Sequence, residues 1–114
     1  MDDCIFCKIV AGKISAQIVH QDKSVLAFRD LNPQAPVHIL IIPRKHIDQI
    51  SSMEEADLPL LGDIYGAVKT IALQEGISET GFRVVANNGP DGGQTVGHLH
   101  LHLLGGRLMH WPPG

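Results

Sequence analysis

The sequence is poor in cysteine, in aromatic residues and in positive charge. Its 114 residues include two cysteines and 4% aromatic residues, and the formal net charge is −3 at pH 7. Two cysteines are too few for the disulfide framework of a small secreted domain. A weakly acidic chain also lacks the basic surface typical of nucleic-acid binders, so we expect no nucleic-acid partner.

Long apolar runs are missing as well. The longest such run, residues 37–43, contains a histidine and is far shorter than the roughly 20 residues that cross a bilayer. The acidic start, residues 1–4, does not have the character of a signal peptide. We therefore expect a cytoplasmic protein with no membrane partner.

Short runs rich in β-branched residues surround one long amphipathic segment. Pro59 suits the first turn of a helix over residues 58–75, whose apolar residues recur at helical spacing. A second, short helix is predicted over residues 4–11. Strands are predicted over residues 16–20, 24–29, 37–42, 82–86 and 97–104. Tight turns between the early strands favour an antiparallel sheet, so the predicted class is α+β, in a single domain over residues 1–114.

The last predicted strand contains the run His98-Leu99-His100-Leu101-His102. Alternate residues of a strand share one face, so the pattern predicts three imidazoles on one face and the leucines on the other. Imidazoles placed so close together cannot all be protonated cheaply, and a neutral imidazole is a nucleophile and a metal ligand. Three histidines on one strand converge poorly on a single ion, which favours catalysis over a three-histidine metal site.

A glycine-rich segment, residues 87–95, comes just before these histidines. Glycines allow backbone N–H groups to approach an anion closely, as phosphate-binding loops require. The side chains of Gln94 and Thr95 could bond phosphate oxygens or a leaving amine. The alternative is a flexible hairpin loop, for which this composition is also common.

The run His98–Leu104 resembles the His-x-His-x-His-x-x signature of the histidine triad superfamily. Further segments are similar to its nucleotide-binding branch; they are residues 27–30, 33–38, 91–94 and 110–114. The resemblance implies an α+β HIT-like fold, with an antiparallel sheet, one long helix and a short N-terminal helix. It also implies a homodimer whose sheet extends across the two-fold axis. The tail, residues 105–114, would reach the partner's active site.

The same resemblance implies a purine nucleoside phosphoramidase, which cleaves the P–N bond of adenosine or guanosine 5′-phosphoramidates. His100 would attack the α-phosphorus and expel the amine, and water would then hydrolyse the nucleotidyl-histidine. His102 would donate to a phosphate oxygen, while His38 and His98 complete the catalytic set. Two alternatives stay open: a dinucleoside polyphosphate hydrolase, and a nucleotide-binding regulatory module with little turnover.

The resemblance also implies a purine mononucleotide site. Asp30 and Leu31 would hold the ribose, while Phe28 and Ile18 would form the base slot. The remaining predicted contacts are with the phosphate and leaving group; they are Asn87, Gly93, Gln94, Thr95, His100 and His102. No metal cofactor is expected for the chemistry, because backbone amides and imidazoles can balance the phosphate charge.

Cys4 and Cys7 form a C-x-x-C motif. As a redox motif it lacks a preceding strand, and as a zinc half-site it needs two more ligands, for which His46 and His98 are candidates. Some bacterial histidine triad proteins are similar in binding structural zinc in this way. The sequence therefore leaves two interpretations, a structural zinc on these four residues or two free thiols.

Overall fold

A single antiparallel sheet supports the fold. The computed structural model describes residues 3–114, and this part of the chain contains five strands and three helices. In chain order they are α1 (Ile5–Val10), β1 (Ile18–Gln21), β2 (Val25–Arg29), β3 (Val37–Pro43), α2 (Pro59–Gln74), β4 (Phe82–Ala86), α3 (Gly89–Gly92) and β5 (Leu101–Gly105). Two 3₁₀ turns, Ile50–Ser52 and Glu55–Asp57, precede α2 in a segment predicted to be irregular.

The strands follow the order β1-β2-β3-β5-β4, and every neighbouring pair is antiparallel. The predicted α+β class, with one long and one short helix, is therefore confirmed. β5 lies between β3 and β4, and its register sets His102 opposite Leu40. In the same register His38 of β3 pairs with Leu104, near the end of β5.

Each face of the sheet carries its own apolar cluster. On one face the buried side of α2, including Ile64, Val68 and Ile71, packs on Ile39 and Ile41 of the central strand. The spacing of i, i+4 and i+7 in α2 produces this face, as the sequence predicts. The other face is covered by α1, whose buried residues join Phe28, Leu40 and Ile42. None of the helices in the described chain is long and apolar enough to cross a membrane.

The last strand differs from its prediction over residues 97–104. β5 begins only at Leu101, so His98 and His100 precede the strand and His102 alone of the three lies within it. Continuing the ladder would set Leu99 opposite Pro43, which has no N–H group to donate. The backbone N–H of Leu99 instead donates to the carbonyl of Ile47 at 2.7 Å. The predicted start of this strand at residue 97 is therefore wrong, although the three imidazoles still lie on the α1 side of the sheet. Phe6 packs against His98 and His100, and the rings of His100 and His102 are neighbours.

Gly106, directly after β5, combines a left-handed backbone conformation with a close contact that leaves no room for a side chain. Its φ is +90°, and an added Cβ would lie 2.9 Å from the Cβ of Pro36. We expect Gly106→Ala to lower the free energy of unfolding by about 1–3 kcal/mol, because both the backbone and the contacting proline must shift.

Gly62 in α2 is the matched control, since an added Cβ there meets no atom within 4 Å. Gly62→Ala should raise the free energy of unfolding by up to about 1 kcal/mol through helix propensity. Urea denaturation measures both variants. Similar effects of the two substitutions would contradict the assignment of close packing at Gly106.

Candidate active site and thiol cluster

A cleft of about 250 Å³ opens beside α1, β2 and the start of β5. Its lining includes six of the residues predicted to bind nucleotide; they are Phe28, Asp30, Leu31, Thr95, His100 and His102. The rest of the lining is mostly apolar, with Phe6, Ile9 and Leu40 among its side chains. The cleft therefore joins two imidazoles and a carboxylate to an apolar slot.

Four predicted contacts lie outside this lining; they are Ile18, Asn87, Gly93 and Gln94. Ile18 pairs with Phe28 across the β1–β2 ladder and is 44% exposed. Sequence reasoning missed Ile14, Ser15 and Ala16, which line the cleft just before β1. These three residues have no periodic signal of their own, since the chain there is irregular.

The side chain of Gln94 forms hydrogen bonds that hold the loop in which it lies. Its side-chain oxygen accepts a hydrogen bond from the backbone N–H of Gly89 at 3.0 Å, and its amide nitrogen donates to the carbonyls of Asp48 at 2.8 Å and Val96 at 2.9 Å. With these bonds the side chain braces the loop around α3. It thereby positions Thr95 and Val96, both of which line the cleft.

His100 is held in one tautomer by the backbone. Its ring is 4% exposed, and Nδ1 lies 2.7 Å from the carbonyl oxygen of His98. A carbonyl oxygen can only accept, so Nδ1 donates and carries the proton of the neutral ring. Nε2 is then left with a free lone pair on a ring that lines the cleft. Phe6 packs edge-on against the same ring, with centroids 5.2 Å apart.

His38 and His102 form a hydrogen-bonded pair whose proton positions also follow from their partners. The backbone N–H of Gln34 donates to Nδ1 of His38 at 3.0 Å, so the proton of neutral His38 lies on Nε2. That nitrogen is 2.9 Å from Nδ1 of His102 and donates to it. Neutral His102 therefore carries its proton on Nε2 and offers it as a donor.

Both rings of this pair favour the neutral form. Burial, together with the neighbouring His100 and His38, lowers the pKa of His102 to about 4. Burial also lowers the pKa of His38, although the carboxylate of Asp30 opposes the shift. His102 is thus a Nε2–H donor near neutral pH, and it lies beside the ring of His100.

Asp30, His38 and His102 each offer a possible metal-ligand atom, and these three atoms lie within 4.8 Å of one another. The 2.9 Å between the two ring nitrogens is a hydrogen-bond distance. It is shorter than the separation of about 3.3 Å expected for two nitrogens on one tetrahedral zinc. The distance therefore fits a hydrogen bond between the two rings better than two ligands of one metal ion.

A second cluster lies on the far side of His98, at the start of α1. The Sγ atoms of Cys4 and Cys7 and the Nδ1 atoms of His46 and His98 all lie within 4.8 Å of one another. His98 Nδ1 is 3.4 Å from the Cys4 sulfur and 3.6 Å from the Cys7 sulfur. His46 Nδ1 is 3.1 Å from the Cys7 sulfur. The structure thus brings together all four residues predicted as metal ligands.

The donor set of this thiol cluster fits zinc. Two ligands on one tetrahedral zinc are expected about 3.3–3.8 Å apart, close to the observed spacings. The remote nitrogens of both histidines have acceptors, since Nε2 of His98 is 2.9 Å from the carbonyl of Pro43 and Nε2 of His46 is 2.8 Å from Asp48 Oδ1. These bonds place the ring protons on Nε2 and leave both Nδ1 lone pairs facing the sulfurs, as metal-binding histidines require.

The chain is similar to known proteins in both sequence and structure. A HIT domain profile matches residues 11–109. A Zea mays protein named 14 kDa zinc-binding protein is 51% identical over 112 residues, 96% of this chain and 87% of its own. An Arabidopsis thaliana protein named adenylylsulfatase HINT1 is 50% identical over 112 residues, 96% of this chain and 76% of its own.

A solved structure is also closely similar. The HIT family hydrolase from Legionella pneumophila Philadelphia 1 superposes with a TM-score of 0.96 at 54% identity, covering 98% of this chain and 100% of that one. The chain therefore belongs to the HIT, or histidine triad, domain family. The family predicted from the histidine run, and the HIT-like fold that it implies, are both confirmed.

The low pKa of His102 predicts a specific dependence of stability on pH. The ordinary histidine pKa is about 6.5, so an unfolded chain takes up the proton first as the pH falls. The stabilisation from the neutral ring is complete above pH 6.5 and is lost between there and about pH 4. We expect His102→Gln to flatten the slope of unfolding free energy against pH in this window.

The matched control is His110→Gln, which alters an exposed ring in the tail. Urea denaturation at several pH values gives the slope for each protein. A slope in His102→Gln as steep as that of the parent would show that His102 does not titrate in this way.

Proposed function

We propose that this protein is a hydrolase of purine nucleoside 5′-phosphoramidates that works through a nucleotidyl-histidine intermediate. The observation that carries the proposal is the buried His100 ring, whose Nδ1 is tied to a backbone carbonyl at 2.7 Å. A histidine nucleophile needs one nitrogen unprotonated and aimed at the substrate, and this bond supplies that condition without a charged partner.

The proposed reaction has two displacements at the α-phosphorus. Nε2 of His100 forms a bond to phosphorus while the P–N bond breaks, and the departing nitrogen takes a proton from solvent and leaves as the amine. Water then attacks the same phosphorus and gives up a proton to solvent, the P–Nε2 bond breaks, and the nucleoside monophosphate and neutral His100 are released. Splitting one displacement into two lowers each barrier, because imidazole is both a good nucleophile and a good leaving group.

The neighbours of His100 suit the other tasks. Nε2–H of His102 can donate to a phosphate oxygen, and the hydroxyl of Thr95 lies in the same cleft. Asp30 Oδ1 accepts the backbone N–H of Asn32 at 2.7 Å, which fixes the carboxylate at the cleft. We assign that carboxylate to the ribose hydroxyls and the apolar slot beside Phe28 to the base.

The same machinery suits any nucleotide whose α-phosphorus carries a good leaving group. The Arabidopsis relative is named an adenylylsulfatase, so adenylyl sulfate is a second candidate substrate, with sulfate in place of the amine. Dinucleoside polyphosphates are a third. A regulatory module with little turnover fits less well, because the nucleophile and its donor are both in place.

We also propose a structural zinc held by Cys4, Cys7, His46 and His98. The spacing of the four donor atoms and the acceptors behind both histidines support it, as does the name of the maize relative. The ion would cross-link α1 to the segment before β5 and would take no part in the chemistry at phosphorus. Burial raises the pKa of the Cys7 thiol, so metal loading must displace its proton and should weaken as the pH falls.

The proposed assembly is a homodimer whose sheet continues across the two-fold axis. β4 forms an outer edge of the sheet, and an open edge offers unpaired backbone groups to a second copy. Large apolar side chains are exposed on β4, on α2 and in the tail, with Phe82 at 40%, Leu73 at 72% and Trp111 at 81%. Such exposure in one chain is typical of an interface.

The substrate class is tested by comparing turnover of adenosine 5′-phosphoramidate, adenylyl sulfate and diadenosine tetraphosphate by the purified protein. We expect the highest kcat/KM for the phosphoramidate. His100→Ala should lower kcat by at least about a thousandfold with little change in nucleotide affinity, since only the nucleophile is lost. His20→Ala, away from the cleft, is the control.

Rapid-quench mass spectrometry should find the nucleotide attached to His100. An adduct on His102, or full activity of His100→Ala, would contradict the mechanism. Preference for either of the other two substrates would reassign the leaving group and leave the nucleophile unchanged.

Elemental analysis of protein purified without a polyhistidine tag tests the zinc proposal. We expect about one zinc per chain in the parent and none in Cys4→Ser/Cys7→Ser, because two of four ligands are lost. His20→Ala removes a histidine outside the cluster and should keep the metal. Equal zinc in the parent and in the double variant would mean that the thiols are free.

A further inference from the structure

Arg107, just after β5, donates two hydrogen bonds to one carbonyl group of the loop between β2 and β3. Its Nε and Nη2 atoms both donate to the carbonyl oxygen of Gln34, at 3.1 and 3.0 Å. Its third contact, from Nη1 to the carbonyl of Leu108 at 3.0 Å, ties the guanidinium to its own chain. Two donors of a rigid planar group on one oxygen fix that oxygen's direction as well as its distance.

The same residue 34 supplies the backbone N–H that meets His38. Its amide donates to Nδ1 of His38 at 3.0 Å, and His38 in turn donates to His102 at 2.9 Å. Hydrogen bonds and the backbone of Gln34, which links its carbonyl to its N–H, therefore connect Arg107 with His38 and His102. The last of these rings lines the cleft, whereas Arg107 is exposed and does not line it.

We propose that Arg107 is a positioning residue for the proposed hydrolysis, acting through the backbone of Gln34 to aim the His38–His102 pair. This inference rests on the function proposed above. The guanidinium fixes the carbonyl on one side of the Gln34 Cα, which limits backbone rotation there and keeps the N–H on the other side directed at His38 Nδ1. That N–H keeps the His38 proton on Nε2, and so keeps His102 as a Nε2–H donor.

The loop that carries Gln34 depends on the start of the tail for its position. Gly106 leaves no room for a side chain against Pro36, so the backbone of the tail sits directly on the loop. Within the loop, Gln34 bonds its side-chain nitrogen to the carbonyl of Asn32 at 3.0 Å, which orders the turn internally but does not anchor it to the sheet. Arg107 supplies the anchor on the carbonyl side.

Arg83 provides a matched control. Its Nη2 donates to the carbonyl of His110 at 2.9 Å, so it also braces the tail but makes no bond to Gln34. The experiment compares the full-length parent with Arg107→Ala, Arg107→Lys and Arg83→Ala. Two readouts are taken: the NMR scalar coupling across the N–H···N bond between the Gln34 amide and His38 Nδ1, and kcat and KM for adenosine 5′-phosphoramidate.

We expect the coupling in the parent and in Arg83→Ala, a loss of at least half of it in Arg107→Ala, and an intermediate value in Arg107→Lys, whose single nitrogen can replace only one of the two bonds. In Arg107→Ala kcat should fall about 3- to 10-fold, the factor equivalent to one net hydrogen bond, with KM little changed.

An intact coupling in Arg107→Ala would overturn the proposal. So would a lost coupling with unchanged kcat, or equal effects in Arg83→Ala, which would point to general docking of the tail. Absence of turnover in the parent would instead refute the proposed function, and the coupling alone would then decide whether Arg107 aims His38.

Discussion

The hydrogen bond from His100 Nδ1 to the carbonyl of His98 is the contact on which the site depends. At 2.7 Å and buried, it decides which nitrogen of His100 carries the proton. Water could not make the same choice, because a solvated imidazole exchanges between its two tautomers. A backbone acceptor makes the proposed nucleophile available without placing a carboxylate beside a phosphate, which would add repulsion.

The chain joins the sheet only at Leu101, and the hydrogen bond from His100 to His98 depends on this late start. Pro43 cannot donate to the neighbouring strand, and the Leu99 N–H turns to Ile47. The departure frees the His98 carbonyl for His100, and it points the His98 ring away from the cleft towards the thiol cluster. One buried residue thus belongs to both sites, its imidazole to the thiol cluster and its carbonyl to the nucleophile.

Periodicity and turn residues were enough to predict α2, the succession of helices and strands along the chain and the α+β class, because burial of one face repeats in the sequence. The identity of His100 came from a family motif. The start of β5 was mispredicted, since alternating leucines are compatible with an extended chain that pairs with no strand. The role of Gln94 was also not predicted, because one of its three partners, Asp48, lies 46 residues away in the sequence. Local pattern does not encode such distant contacts.

The central claim is that the tautomer of His100 is fixed before any nucleotide binds. Imidazole ¹⁵N NMR of the free protein at neutral pH measures it most directly, with His100 assigned by comparison with His100→Ala. The account predicts a protonated Nδ1 and an unprotonated Nε2 in a single dominant form. A protonated Nε2, or two tautomers in comparable amounts, would contradict it.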